Sequence, residues 1–242
     1  MPRRQRIKHP PAEDPKLWRL LQAIVNDHAE QITELLSVSP SLARQSVAIG
    51  ATPKAAQNFF FEQIKHYVYA GDTPLHVAAA GYRAHIAREL LRNRASVTAT
   101  NRRGAAALHY AADGWADSPA WNPKAQAETI AVLLQAGANP NATDRSGVAP
   151  LHRAVRQRCP AAVEALLRGG ASVRLKNGAG STPLHLAVRN TGRGGTGSAE
   201  SKQMQREIIE LLLKAGADPR DRDGRGKTVA QRTQSEWIRH LL

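Results

Sequence analysis

The sequence predicts an all-α fold of stacked helix pairs, and three features of the chain support this prediction. One short phrase occurs four times, at residues 73–76, 106–109, 149–152 and 182–185. The histidines that end these phrases are spaced 33, 43 and 33 residues apart. Each phrase opens a short Ala-rich or apolar segment, and a second, leucine-rich segment follows at helical spacing. We therefore expect a solenoid in which each repeat contributes one layer of two helices.

Capping signals mark the ends of both helices in each repeat. Threonine followed by proline starts the first helix, because threonine is a good N-cap and proline is pre-set for the first helical turn. Gly137, Gly216 and either Gly169 or Gly170 lie where the second helix must end in a left-handed residue, and Arg94 occupies the equivalent place in the first regular repeat. The turns that follow are predicted to open at Asn101, Asp144, Asn177 and Asp223.

A 33-residue period that carries Thr-Pro-Leu-His and then Ala-Ala resembles the ankyrin repeat. The resemblance extends from about Gly71 to Thr233. It implies that the imidazoles hydrogen-bond the backbone across the turns and between layers, which makes the motif residues scaffolding. The residues that it assigns to this structural role are Thr73, Pro74, His76, His109, Pro150, His152, Thr182, Pro183 and His185.

Departures from the period divide the chain into four regions. Residues 1–13 are predicted to be a disordered basic tail, and residues 14–70 a degenerate capping repeat followed by an aromatic-rich insertion. Residues 71–226 hold four repeats, and residues 227–242 form a C-terminal cap whose outer face has no neighbour. For the aromatic-rich insertion we favour a lid over exposed core rather than a binding role, because buried aromatic side chains usually serve packing.

Two of the repeats carry insertions between their helices, near residues 114–123 and 191–200, and both emerge from the same edge. The first insertion contains Trp115 and Trp121, which either act as exposed interaction anchors or fold down over the neighbouring helices. The second contains Arg193 in the glycine-rich stretch 192–197, which is a flexible connector or, less in keeping with its composition, an anion site.

The formal net charge of +14 favours acidic proteins, nucleic acid or anionic surfaces as partners, although an arginine-rich proteome would produce the same bias. In ankyrin proteins the turn tips and first helices line a concave groove, and the positions carried over from the family are mostly basic. An acidic protein segment is our first choice of ligand, nucleic acid or another polyanion the second, and a role as regulatory subunit of an enzyme the third. The groove positions are Arg102, Arg103, Asp113, Arg145, Arg156, Lys176, Arg189, Arg222, Arg225 and Lys227.

The sequence offers no pattern that predicts catalysis, a metal site or a cofactor. Four of the nine histidines belong to the repeat motif, and the chain has neither an H-E-x-x-H nor a G-x-S-x-G arrangement. Cys159 is the only cysteine, so an intramolecular disulfide is impossible and a small buried residue is expected there. The basic, proline-containing N-terminus and the lack of a long apolar stretch predict a cytoplasmic protein; the oligomeric state stays open.

Overall fold

The computed structural model describes residues 14–114, 121–189 and 197–242, so the predicted tail 1–13 lies outside the described residues. The chain forms two compact units that divide after Ala107, here called unit 1 and unit 2. Both are mainly helical, as predicted. The described helices include none that is long and apolar enough to cross a membrane.

Unit 1 contains two stacked helix pairs. Asp14 caps the first helix by accepting the Lys16 N–H, and Pro15 starts it. In this unit α1 packs on α2 and α3, while α4 packs on α3 and α2, so the two layers lie side by side. The helices are α1 Pro15–Val25, α2 Ala29–Val38, α3 Pro74–Ala80 and α4 Ala84–Arg92, with 3-10 turns at Pro40–Arg44, Ala56–Phe59 and Glu62–Ile64.

The aromatic-rich insertion of unit 1 folds into a small antiparallel hairpin, so the fold is mainly helical with one short two-stranded sheet. Strands β1 Phe60–Phe61 and β2 His66–Tyr67 pair with Phe60 opposite Tyr67. Phe59 and Phe61 are buried against Trp18, with ring centroids 6.4 and 5.3 Å away. Alternation is visible in β1, where Phe61 enters the core and Phe60 on the opposite side is only half-buried. These contacts agree with the lid interpretation.

Unit 2 contains the remaining helix pairs in the same layered arrangement. The second helices α6, α8 and α10 pack side by side, and so do the first helices α7, α9 and α11. Fully buried Ile130, Leu133, Leu166, Ile208 and Leu212 form the core between the second helices. The bounds are α5 Ala107–Ala112, α6 Pro123–Gln135, α7 Pro150–Arg156, α8 Pro160–Arg168, α9 Pro183–Ala187, α10 Ala199–Lys214, α11 Val229–Arg232 and α12 Glu236–Arg239.

The helix-ending glycines adopt the left-handed backbone that the sequence predicted. Gly137, Gly170 and Gly216 have φ values of 91°, 85° and 89°. Of the two candidates at 169 and 170, the left-handed residue is therefore Gly170. Arg94 takes the same conformation in unit 1, with φ of 64°, although it carries a Cβ.

Candidate partner-binding groove

The turns between layers are closed by one side-chain oxygen each. Oδ1 of Asp144 accepts the Ser146 and Val148 N–H groups at 2.9 and 3.0 Å. Asn101, Asn177 and Asp223 do the same for the residues two and four positions later, at 2.8 to 3.1 Å. This confirms the predicted turn openings. Because the side chain satisfies the backbone donors internally, the residues just after each opening project to solvent.

The motif histidines link one layer to the next. Nδ1 of His76 accepts the Thr73 N–H at 3.1 Å, so the ring proton resides on Nε2, which donates to the Ala105 carbonyl at 3.0 Å. His152 repeats this arrangement with the Ala149 N–H and the Ser181 carbonyl, at 3.2 Å each. His109 and His185 donate to the carbonyls of Val148 and Lys227 at 3.1 and 3.3 Å. The bonds that the family resemblance implies are present in all four repeats.

Burial keeps the imidazoles of His76, His109 and His152 neutral. It lowers the pKa of His76 and His152 below the usual value near 6.5. For His109, burial and the nearby Arg153 charge lower the pKa to about 4. A neutral ring is what the geometry requires, because one nitrogen must accept and the other donate.

The predicted groove cations of unit 2 are exposed, and we call them the cationic face. Arg145 and Lys176 lie at turns, whereas Arg156 and Arg189 lie at the ends of the first helices. Across the part of the chain that the structure describes, the only ion pair of this set is a 4.0 Å contact between Arg156 and Asp113. Arg222 also donates to the Gly226 carbonyl at 2.8 Å. The cationic face consists of Arg145, Arg156, Lys176, Arg189, Arg222, Arg225 and Lys227.

Asp113, which the sequence placed in the groove as an acidic exception, pairs with an arginine that the prediction did not include. Nη1 of Arg153 donates to its Oδ2 at 2.6 Å, and Nη2 donates to Oδ2 of Asp144 at 2.8 Å. The Arg153 side chain is only 12% exposed. Asp223, just before the C-terminal cap, and Arg232, within it, form the pair that corresponds to Asp144 and Arg153. Asp144 and Arg153 are nine residues apart, as are Asp223 and Arg232, and this shared spacing was the signal that could have revealed the two arginines.

These pairs set the ionisation of the acids. Although burial alone would raise the pKa of Asp144, the hydrogen bond from Arg153 holds that pKa below its usual value. For Asp223, burial is likewise outweighed by backbone N–H groups and Arg232, which lower the pKa to about 2. Both acids are therefore ionised at neutral pH, and their charges are directed at Arg153 and Arg232.

The other two predicted cations belong to unit 1. Arg102 and Arg103 follow Asn101 and are both exposed. Their guanidinium carbons lie 5.6 and 4.6 Å from the centroid of the Tyr69 ring. Arg102 also donates to the Ala51 carbonyl. The aromatic insertion, which the sequence treated separately from the groove, thus lies beside these two arginines.

In each repeat that carries an insertion, a buried glutamine hydrogen-bonds the described residues beside the inserted loop, and the sequence did not predict this role. Gln126 donates to the Ala111 carbonyl at 3.0 Å and accepts from Nε1 of Trp121 at 2.9 Å. Gln205 donates to the carbonyls of Ala187 and Arg189, at 2.6 and 2.8 Å. Trp121 is half-buried. Trp115 and Arg193 lie outside the described residues, as does the glycine-rich stretch up to residue 196.

The backbone just before the second loop is also bonded by an arginine side chain. Arg158 donates to the same two carbonyls, at 2.9 and 2.7 Å, although its own backbone has a φ of 60°. Burial lowers the pKa of Arg158 to about 10. After each loop the second helix starts at a capping side chain: Asn122 accepts the Ala125 N–H and Ser198 accepts the Ser201 N–H.

Metal-binding and nucleophilic chemistry find no support among the described residues. They contain no group of three His, Cys, Asp or Glu side chains that could hold a metal ion. Cys159 is fully buried, as predicted, and burial raises its pKa to about 12, so the thiol stays protonated.

Comparison with known families agrees with the layered architecture. A family model described as ankyrin repeats (3 copies) matches residues 120–223, and a single ankyrin repeat model matches residues 70–102. Together the two matches cover more than half of the chain. No curated protein matches the chain significantly. With its repeat motif, interlayer histidine bonds and family matches in agreement, the chain belongs to the ankyrin repeat family.

Proposed function

We propose that unit 2 binds an extended acidic segment of a partner protein through the cationic face. Ankyrin repeats are in general protein–protein interaction modules and typically non-catalytic. The observation that carries the proposal is that three aspartates of this unit pair with arginines within the fold, whereas the groove cations face solvent. Asp113 and Asp144 are directed at the largely buried Arg153 and Asp223 at the partly buried Arg232, whereas the cations of the cationic face remain exposed to solvent. Such a surface attracts carboxylates and repels basic partners.

The exposed acids of unit 2 that lie on helices occur mainly on the second helix of a repeat. Glu128 lies on α6, and Glu200, Glu207 and Glu210 lie on α10. The turns and first-helix ends are therefore more basic than the unit as a whole. The second helices also carry exposed cations such as Lys202 and Lys214, so they are mixed in charge, whereas the turns and first-helix ends are mainly basic. A mainly basic surface favours docking there over nonspecific attraction.

Repeat spacing suggests the form of the ligand. Packed helices lie about 8–10 Å apart, and three residues of extended chain span about 10 Å. Arg156 and Arg189 occupy equivalent positions in successive layers, 33 residues apart. An extended segment with an acidic residue at every third position would meet one cation per layer, and arginine suits this role because it binds carboxylate with two parallel hydrogen bonds.

The test is a binding titration with fluorescent peptides. One peptide carries Glu at every third position, a second has the same composition with the Glu residues clustered, and a third replaces Glu by Gln. We expect the spaced peptide to bind best, and Arg156→Ala/Arg189→Ala to weaken its binding about tenfold, as expected for the loss of two charged contacts of about 0.7 kcal/mol each. Lys202→Ala/Lys214→Ala, which removes two exposed cations from α10, is the matched control. Equal binding of the three peptides, or equal losses in both double variants, would refute the proposal.

A further inference from the structure

The aromatic residues of this chain are concentrated in the insertion that interrupts the repeats. All three phenylalanines and two of the four tyrosines lie between residues 59 and 69. Phe59 and Phe61 serve the core of unit 1, but Phe60, Tyr67 and Tyr69 are only half-buried. A lid that served packing alone would have no need of this second aromatic set.

The hairpin separates the two sets by strand alternation. Phe60 and Tyr67 face each other across the strands, with ring centroids 4.7 Å apart and planes tilted by 50°. Tyr67 and Tyr69 flank the buried Val68, whose N–H bonds the Phe59 carbonyl at 2.8 Å. Side chains two positions apart on an extended chain share a face. The outer side of the hairpin therefore presents three aromatic side chains together.

Two arginines border this surface and are held in place. The Arg102 N–H donates to the Ala70 carbonyl at 2.8 Å, and its guanidinium donates to the Ala51 carbonyl. Arg103 stacks over Tyr69 at 4.6 Å. Fixing these side chains in the free protein reduces the entropy that a ligand would otherwise have to remove on binding. We call Phe60, Tyr67, Tyr69, Arg102 and Arg103 the aromatic–arginine face.

Nearby acids do not cancel the charge of this face at its surface. Asp72 is fully buried, where it accepts the Tyr69 N–H at 2.6 Å and the Asn101 amide at 2.8 Å. Glu62, at the hairpin tip, pairs with Lys65. What reaches solvent beside the rings is therefore positive.

We propose that the aromatic–arginine face of unit 1 binds single-stranded nucleic acid. Aromatic rings and guanidinium planes stack on unpaired bases, and arginines contact the backbone phosphates. A double helix hides its base faces within the stack, so it would use the arginines alone. An acidic peptide would likewise engage the arginines but leave the rings without a planar partner. This proposal concerns residues other than the cationic face of unit 2, so either proposal stands if the other fails.

The test uses the full chain and fluorescence anisotropy with a labelled 12-nucleotide uridine RNA, the same length of thymidine DNA, and a duplex. We compare the unchanged protein with Arg103→Gln, Tyr67→Leu and the control Lys214→Gln, a cation on α10, each at 50 and 200 mM salt. Arg103 is exposed and its side chain makes no hydrogen bond to a described residue, so Arg103→Gln tests binding without endangering the fold. Circular dichroism melting is the control that tests whether Tyr67→Leu folds like the unchanged protein.

We expect both single strands to bind more tightly than the duplex. Arg103→Gln should reduce the slope of log affinity against log salt by about 0.7, the value for one phosphate contact on a single strand. Tyr67→Leu should weaken binding about fivefold or more with the slope unchanged, because stacking releases no counterions. The proposal fails if the duplex binds as tightly as the single strands, if Lys214→Gln reduces binding as much as Arg103→Gln, or if an acidic peptide displaces the RNA at equal concentration.

Discussion

Arg153 lies nine residues after Asp144, and its Nη2 donates to Oδ2 of that aspartate at 2.8 Å. Arg232 and Asp223 repeat the spacing and the contact. Where the turn opens with asparagine, the residue nine positions later is uncharged: Tyr110 follows Asn101 and Leu186 follows Asn177. Aspartate and arginine therefore occur together or not at all at these paired positions, because a charge of either sign alone in this setting would be poorly compensated.

This pairing predicts the outcome of a double-mutant cycle in unit 2. Arg153→Leu should lower the free energy of unfolding by about 3 kcal/mol, because it leaves two largely buried carboxylates without their arginine. Asp144→Asn should cost less, about 1 kcal/mol, since asparagine preserves the turn and Asp113 still pairs with Arg153. The double variant Asp144→Asn/Arg153→Leu, which copies Asn177 and Leu186, should lose less than the two single changes added together. Urea denaturation measures all three.

The coupling energy from that cycle is informative in either direction. A value of at least about 1 kcal/mol supports a specific pair. Additive losses would mean that Arg153 stabilises the unit by packing its aliphatic stem alone. Arg168→Leu/Glu164→Asn, an exposed pair on α8, is the control and should show coupling below about 0.5 kcal/mol.

The sequence predicted those features that depend on local backbone chemistry. The left-handed Gly170 and the turns at Asn101 and Asp144 each follow from the conformational preference of one residue. The family resemblance added the interlayer bonds of the histidines. These features recur in every repeat, so several copies support each prediction.

Contacts between side chains far apart in the chain escaped prediction. Arg153 reaches Asp113 across 40 residues and Arg102 reaches Ala51 across 51, and neither pairing leaves a periodic signal. The pairing of the two hairpin strands escaped prediction because two-residue strands are too short for alternation to be visible in the sequence. All seven residues of the cationic face could be named from the sequence, but the aromatic–arginine face depends on where the insertion folds back.

The lowered pKa values of His76, His109 and His152 predict a loss of stability in mild acid. Because their folded-state pKa values are lowered, the unfolded chain takes up protons near pH 6.5 while the folded chain does not. Their contribution is complete above pH 6.5 and falls as the pH drops toward the folded value, which is about 4 for His109. For His109 alone the loss between pH 6.5 and 5 is about 2 kcal/mol. Urea denaturation at pH 7, 6 and 5 measures it.

A glutamine variant separates titration from structure in that experiment. In the C-terminal cap, Gln231 occupies the position that histidine holds in the repeats, and its Oε1 accepts the Thr228 N–H at 2.9 Å. His109→Gln should therefore keep the helix start and flatten the pH dependence. His240→Gln, near the C-terminus and exposed, should leave the dependence unchanged. A His109→Gln curve parallel to that of the unchanged protein would contradict the assignment.

Close packing at the base of the first insertion predicts a compensating pair of substitutions. A Cβ on Gly114 would lie 2.1 Å from Sγ of Cys159, which is fully buried. Gly114→Ala should therefore cost about 1–3 kcal/mol through overpacking. Cys159→Ala removes the sulfur, so the double variant should recover part of the loss measured by thermal melting. If Gly114→Ala alone melts at the same temperature as the unchanged protein, the backbone at Gly114 moves away from Cys159 without cost, and the prediction of close packing is wrong.

The left-handed arginine at the end of α4 predicts a stabilising change. Arg94 has a φ of 64°, and the equivalent positions of three other repeats hold Gly137, Gly170 and Gly216. Left-handed backbone costs a residue with a Cβ about 1 kcal/mol, whereas glycine loses more entropy on folding, by about 0.5 kcal/mol. Arg94→Gly should therefore raise the free energy of unfolding by about 0.5 kcal/mol. Arg92→Gly, two residues earlier and inside the helix, should lower it by about 1 kcal/mol, so opposite shifts in the two urea curves would show that the effect comes from backbone conformation and not from the lost positive charge.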